Sequence, residues 1–86
     1  MIGILTVTGL DHTGIVAAVS TLLAKNEVNI VNISQTLMGE YFTMIMQITF
    51  DMPIQELQAA LEEVAKEQAL SIRVQSEAIF QAMHEV

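Results

Sequence analysis

The chain has 86 residues, 52% of them hydrophobic, with ten acidic and three basic side chains, no cysteine and a formal net charge of −7. That charge opposes nucleic acid and anionic membrane surfaces, which are bound through Lys and Arg, and the missing thiols exclude disulfides, thiolate catalysis and Cys-based metal sites. The length fits one domain over residues 1–86, whose thin core leaves apolar residues over and so implies a partner surface, most simply a second copy.

Ile2 to Thr8 predicts a first strand ending at Gly9. Gly9-Leu10-Asp11-His12-Thr13-Gly14 then turns into a helix from Ile15, with Thr13 as its N-cap. Ile15, Val16, Val19, Leu22 and Leu23 form its apolar stripe, and Asn26 is expected to end it in the left-handed region. This turn gathers two glycines, a carboxylate and an imidazole at a helix start, where free N–H groups and a partial positive charge are on offer. A bare backbone at Gly14 admits a ligand, but glycines here equally serve positive φ or helix–strand packing, so the residues alone leave binding and packing open.

Val28 to Leu37 is rich in β-branched residues and predicts a second strand. Gly39-Glu40 turns the chain into Tyr41 to Phe50, which alternates strictly. Phe42, Met44, Met46, Ile48 and Phe50 share one face, and Tyr41, Thr43, Ile45, Gln47 and Thr49 the other. Asp51-Met52-Pro53 opens a second helix, with Asp51 at its positive end, Ile54, Leu57, Leu61 and Val64 inward and Glu62 and Lys66 able to pair outward. Leu70, Ile72 and Val74 alternate with Ser71, Arg73 and Gln75 in a fourth strand. Ser76 caps a short C-terminal helix over residues 76–85, with Ile79, Ala82, Met83 and Val86 on its apolar stripe.

The order is β-α-β-β-α-β plus a terminal helix: an α+β, ferredoxin-like fold with two helices on one face of a four-stranded antiparallel sheet. Residues remove several functions known on such folds. An RNA module needs exposed aromatics amid basic residues, and Tyr41 alone is offered. A soft-metal carrier needs thiolates in the first loop, and an acyl-phosphate hydrolase an Arg there; the one Arg is Arg73. His12 and Asp11 are sequence neighbours with no Ser, Lys or second His as partner, and His12 with His84 lacks a third metal ligand. No catalytic residue, metal or cofactor is expected. The six Met residues serve the core or an interface.

Gly9-Leu10-Asp11-His12-Thr13-Gly14-Ile15-Val16, followed by Leu22-Leu23-Ala24 and Val28-Asn29-Ile30, resembles the ACT-domain family pattern G-x-D-x-x-G-[IL]-[VL], helix, then Asn-Ile at the second strand. Ile33-Ser34-Gln35-Thr36, Tyr41-Phe42-Thr43-Met44 and Ala78-Ile79-Phe80-Gln81-Ala82-Met83 are similar to small stand-alone ACT proteins of bacteria and archaea. The resemblance implies a regulatory module that pairs with a second copy, often into a continuous sheet, and binds an amino-acid-like ligand at the interface. Position by position it implies ligand contacts from the turn Asp11, His12, Thr13, Gly14 and Ile15, with Asn29 reaching a ligand from the neighbouring subunit. His12 and Thr13 stand where many members have a basic residue or Pro.

A zwitterion suits such a turn: Asp11 takes an ammonium, the helix N–H groups a carboxylate, and Asn29 donates and accepts. Asp11 as a local loop cap and Asn29 as a strand-entry residue stay open beside this. Two readings follow: a cytoplasmic, homodimeric ligand-binding regulator signalling to a separate protein partner, or an interaction module without a small-molecule ligand. The cytoplasmic reading rests on a start without a basic-then-apolar segment and on no apolar run nearing a membrane span of roughly 18 residues.

Overall fold

The computed structural model describes residues 1–84, with side chains through residue 82. The expected helix end at Glu85 and the apolar contributions of Met83 and Val86 lie outside the described residues. In chain order the elements are β1 (Ile2–Leu10), α1 (Ile15–Lys25), β2 (Asn29–Met38), β3 (Tyr41–Thr49), α2 (Ile54–Gln68), β4 (Leu70–Ser76) and α3 (Glu77–His84). The strands pair antiparallel in the order β2-β3-β1-β4, so β1 and β3 are central and β2 and β4 form the two edges. This is the ferredoxin-like arrangement expected from the element order.

The alternation of β3 sorts as predicted. Phe42, Met44, Met46 and Ile48 are buried with Leu5 and Val7 of β1, while Tyr41 and Ile45 are exposed. Ile15, Val19 and Leu23 of α1 and Leu57, Leu61 and Val64 of α2 join that same core, which places both helices on one face of the sheet. The other face carries the second alternating set. No helix among the described residues is long and apolar enough to cross a membrane.

Helix ends depart from the sequence reading in instructive ways. The N-cap of α1 is Gly14, at φ 92°, and no side chain caps it, so Thr13 does not take that role. At the other end Asn26 stays at φ −98°, and Glu27 enters the left-handed region at φ 56°. The amide of Asn26 instead donates to the Leu22 carbonyl at 2.9 Å. Glu27 N–H bonds Ala24 O and Val28 N–H bonds Leu23 O, the paired bonds of a Schellman turn, with Leu23 and Val28 both buried beside them. Pro53, not a residue inside the helix, is the N-cap of α2, and Glu56 rather than Asp51 supplies its first-turn carboxylate. Glu62 accepts a bond from Gln58 at 2.7 Å. Ser76 does cap α3: its hydroxyl accepts from the Ile79 N–H at 3.3 Å.

The two outer strands differ. On β4, the Gln58 side chain donates to Ile72 O and accepts from Val74 N–H, both at 2.9 Å. Its amide stands in for the peptide of a neighbouring strand and occupies the middle of that edge. On β2 every residue from Val31 to Met38 is exposed, and a bulge at Val31 is followed by a regular run from Asn32 to Met38. Among the described residues nothing pairs with the outer edge of β2 beyond β3.

Candidate functional site

The turn between β1 and α1 is held from two sides. The Asp11 N–H donates to Glu40 O at 2.8 Å, which ties the turn to the β2–β3 hairpin. The His12 ring places Nε2 2.8 Å from Gln68 O, the last residue of α2. A carbonyl only accepts, so Nε2 carries the proton and donates. The imidazole thus closes one of the open carbonyls at the negative end of α2. His12 is a clamp on the turn's position, a role its sequence neighbours gave no sign of. His12→Ala should cost about 0.5–1.5 kcal/mol, the worth of one hydrogen bond. Thermal unfolding reads that loss, and faster amide exchange confined to residues 11–14 identifies it as a loosened turn.

Gly9 and Gly14 serve different ends. A Cβ on Gly9 would sit 2.7 Å from Leu70 Cδ2 and 3.3 Å from Ala69 O, so this glycine lets β1 close against the start of β4. A Cβ on Gly14 would meet nothing within 4 Å. Positive φ, not crowding, demands a glycine there, and the space above it is free. The first helical bond runs from Ala18 N–H to Gly14 O, so the N–H groups of Ile15, Val16 and Ala17 have no acceptor within the helix.

The structure gathers some of the predicted site and separates the rest. Asp11, His12, Thr13 and Gly14 are all exposed on one turn, whereas the side chain of Ile15 is 2% exposed and belongs to the core. Only the backbone of Ile15 is open to a ligand. Asn29 is exposed at the start of β2, in register with Thr49 and Ile2. Leu10, next to Asp11, is in register with Tyr41 and Met38. Eight strand residues separate those two ends, roughly 26 Å within one chain. The sequence reading also missed Glu40: with Leu10, Asp11 and Gly39 it lines a depression of about 390 Å³ beside the turn. A hairpin turn and a distant loop have no sequence signal linking them. A second groove, of about 480 Å³, runs between α1 and α2 along Ala17, Ala18, Thr21, Val64 and Glu67. Among the described residues no three His, Asp or Glu side chains gather as metal ligands.

Residues 2–75 match the family model of the ACT domain. The chain belongs to the ACT-domain family. The matched span ends within β4, ahead of α3. The ACT relatives include a UPF0237 protein of Corynebacterium glutamicum, 54% identical over 89 residues and aligned over the whole of both chains. Among solved structures, an ACT domain protein from Streptococcus pneumoniae superposes with a TM-score of 0.85 at 40% identity, over 94% of each chain. The regulatory subunit of aspartate kinase from Thermus thermophilus does so with a TM-score of 0.71 at 26% identity, over 86% of this chain and 50% of that one. The ACT family is one of regulatory ligand-binding modules.

Proposed function

We propose that this ACT protein is a homodimeric sensor of a small amino-acid-like molecule, binding at the turn Asp11–Gly14, and that it passes the signal to a separate protein. The observation that carries the reading is the unfilled space above Gly14 at a helix start whose N–H groups no side chain caps. A carboxylate fits those N–H groups, and the exposed Asp11 carboxylate offers a partner for an ammonium. The regulatory ACT neighbour named above supports a regulatory rather than a catalytic role.

The separation of Asn29 from the turn supports pairing through β2. In a two-fold, antiparallel pairing centred on Gln35, the regular run from Asn32 to Met38 pairs with its own copy. Asn29 of one chain then passes the end of the other's β2 and reaches its Gly39–Glu40 turn. That is the turn to which Asp11 is bonded. Such a dimer joins the residues that one chain holds apart. It also covers Ile33 and Leu37, which are 43% and 58% exposed beyond the reach of the chain's own helices.

The test is thermal unfolding against each of the amino acids at millimolar concentration. A ligand at 100 times its Kd adds roughly 2.7 kcal/mol, a shift of roughly 10–20 °C for a domain of this size. A selective shift that disappears in Asp11→Ala and in Asn29→Ala is the expected result. A uniform lack of response favours the second reading, a module that docks on a protein without a small ligand. The groove between α1 and α2, larger than the depression at Asp11, is the feature that speaks for it.

A further inference from the structure

The seam between α1 and α2, on the side away from the sheet, is unfilled. Its α1 wall is short-chained: Ala17 and Thr21 stand on it, both exposed, with Ala18 and Leu22 half-buried below. Val64 of α2, 8% exposed, completes an apolar floor. These short side chains leave the groove of about 480 Å³ open. The α2 wall is of another kind. Glu56, Ala60, Glu63 and Glu67 recur at helical spacing, so they share one flank of that helix. Glu63 and Glu67 line the groove directly, and Lys66, the one base of α2, does not. Across from them α1 contributes a single charge, Lys25, in its last turn.

We infer that this groove docks a basic amphipathic helix of a separate protein. The walls select a helix as the occupant. Helices bond their own backbone along their length, so the groove offers no row of N–H and C=O groups for a strand to pair with, and side chains alone can fill it. The short α1 wall lets a third helix approach to the about 8–10 Å between axes at which helices pack. Apolar residues at every third or fourth position of that helix then reach the floor of Ala18, Leu22 and Val64. The acidic flank of α2 selects the charge. Lys or Arg along one side of the incoming helix faces Glu63 and Glu67, and a net charge of −7 draws such a partner in from a distance. A second copy of this chain presents the same acidic flank and is repelled. From Ala17 to Lys25 the wall is roughly 12 Å long, about two turns of helix. Such a contact belongs with small, transient signalling interfaces and not with permanent ones. The inference rests on the reading that this chain acts on a separate protein; it needs no ligand at Gly14.

The experiment is an amide NMR titration of the isotope-labelled full chain with two synthetic peptides of about 16 residues, long enough to hold a helix. One carries Leu and Ala on one face and Lys on the other; its counterpart has Glu in place of Lys. The Lys peptide should move the amides of Ala17, Thr21, Leu22 and Val64 and bind on the order of a hundredfold more tightly than the Glu peptide. Its binding should weaken as salt is raised. Exchanging both wall acids, Glu63→Lys with Glu67→Lys, should invert the preference. Thr21→Trp, at an exposed position, fills the groove and should remove the shifts with far-UV circular dichroism unchanged. Shifts scattered over Asp11, Glu40 and Glu77 that persist in Thr21→Trp mark attraction by net charge alone and overturn the site. Equal binding of the two peptides overturns the charge assignment, and no shift in α1 or α2 overturns docking outright. If docking fails while an amino acid still raises the unfolding temperature, the sensor reading stands without the groove. If the Lys peptide binds and no amino acid has an effect, the groove stands without the sensor.

Discussion

Leu61→Ala is expected to lower the free energy of unfolding by about 3–5 kcal/mol. Leu61 has no exposed surface and sits mid-way along α2, in the core shared by both helices and the sheet. Removing its branched end forfeits the burial of that surface and leaves a cavity that rigid neighbours on three elements do not collapse to fill. A chain of this length holds roughly 4–13 kcal/mol in total, so one substitution consumes much of it. Urea unfolding monitored by circular dichroism measures the loss, and the midpoint should move with little change in slope. The consequence is also functional. The end of α2 anchors His12 through Gln68 O, so a loosened α2 releases the turn that presents Asp11. Leu61→Met, which keeps the volume, should cost less than about 1.5 kcal/mol.

Gly14→Val is expected to abolish any thermal response to a ligand while the chain remains folded. The backbone at Gly14 stands at φ 92°, where a β-branched residue is a steric outlier, and the strain costs about 1–3 kcal/mol. A Cβ there has nothing within 4 Å beyond its chain neighbours, so the added bulk starts out in open space. The methyl groups fill the space over the N–H groups of the first turn of α1. Gly14→Ala separates the two effects, since it bears similar backbone strain with far less bulk. A graded response, wild type above Ala above Val, marks approach to this backbone as the determinant of binding. A full response in Gly14→Val would refute the placement of the ligand at α1.

The sequence carries the architecture because its signals are periodic and local. Five alternating pairs in β3 fix which side meets the helices, and Ile15, Val19 and Leu23 recur at helical spacing to meet them. Helix ends were less legible, since they turn on competition among a few backbone bonds. At the end of α1 the side chain of Asn26 found a carbonyl, and the positive φ moved one residue on to Glu27. The site was legible only in part. The motif marks the turn, yet it does not say that Ile15 faces inward or that Asn29 starts at the far end of the sheet. It is equally silent on Glu40 and on Gln68, because contacts between distant loops leave no periodic trace. Gln58 was the clearest omission. Its spacing to Glu62 is visible, but its grip on β4 depends on how α2 lies against the sheet.

That grip bears on how large an assembly of these chains becomes. A sheet with two receptive borders has a valence of two, and each added copy exposes a fresh border for the next. Growth along that direction has no natural end and yields ribbons. The Gln58 amide reduces the valence to one by filling the β4 border from within the chain. In the proposed edge pairing, two such sheets would use each other's single open border and stop. Gln58 would then set that limit from a position away from the Asp11–Gly14 turn.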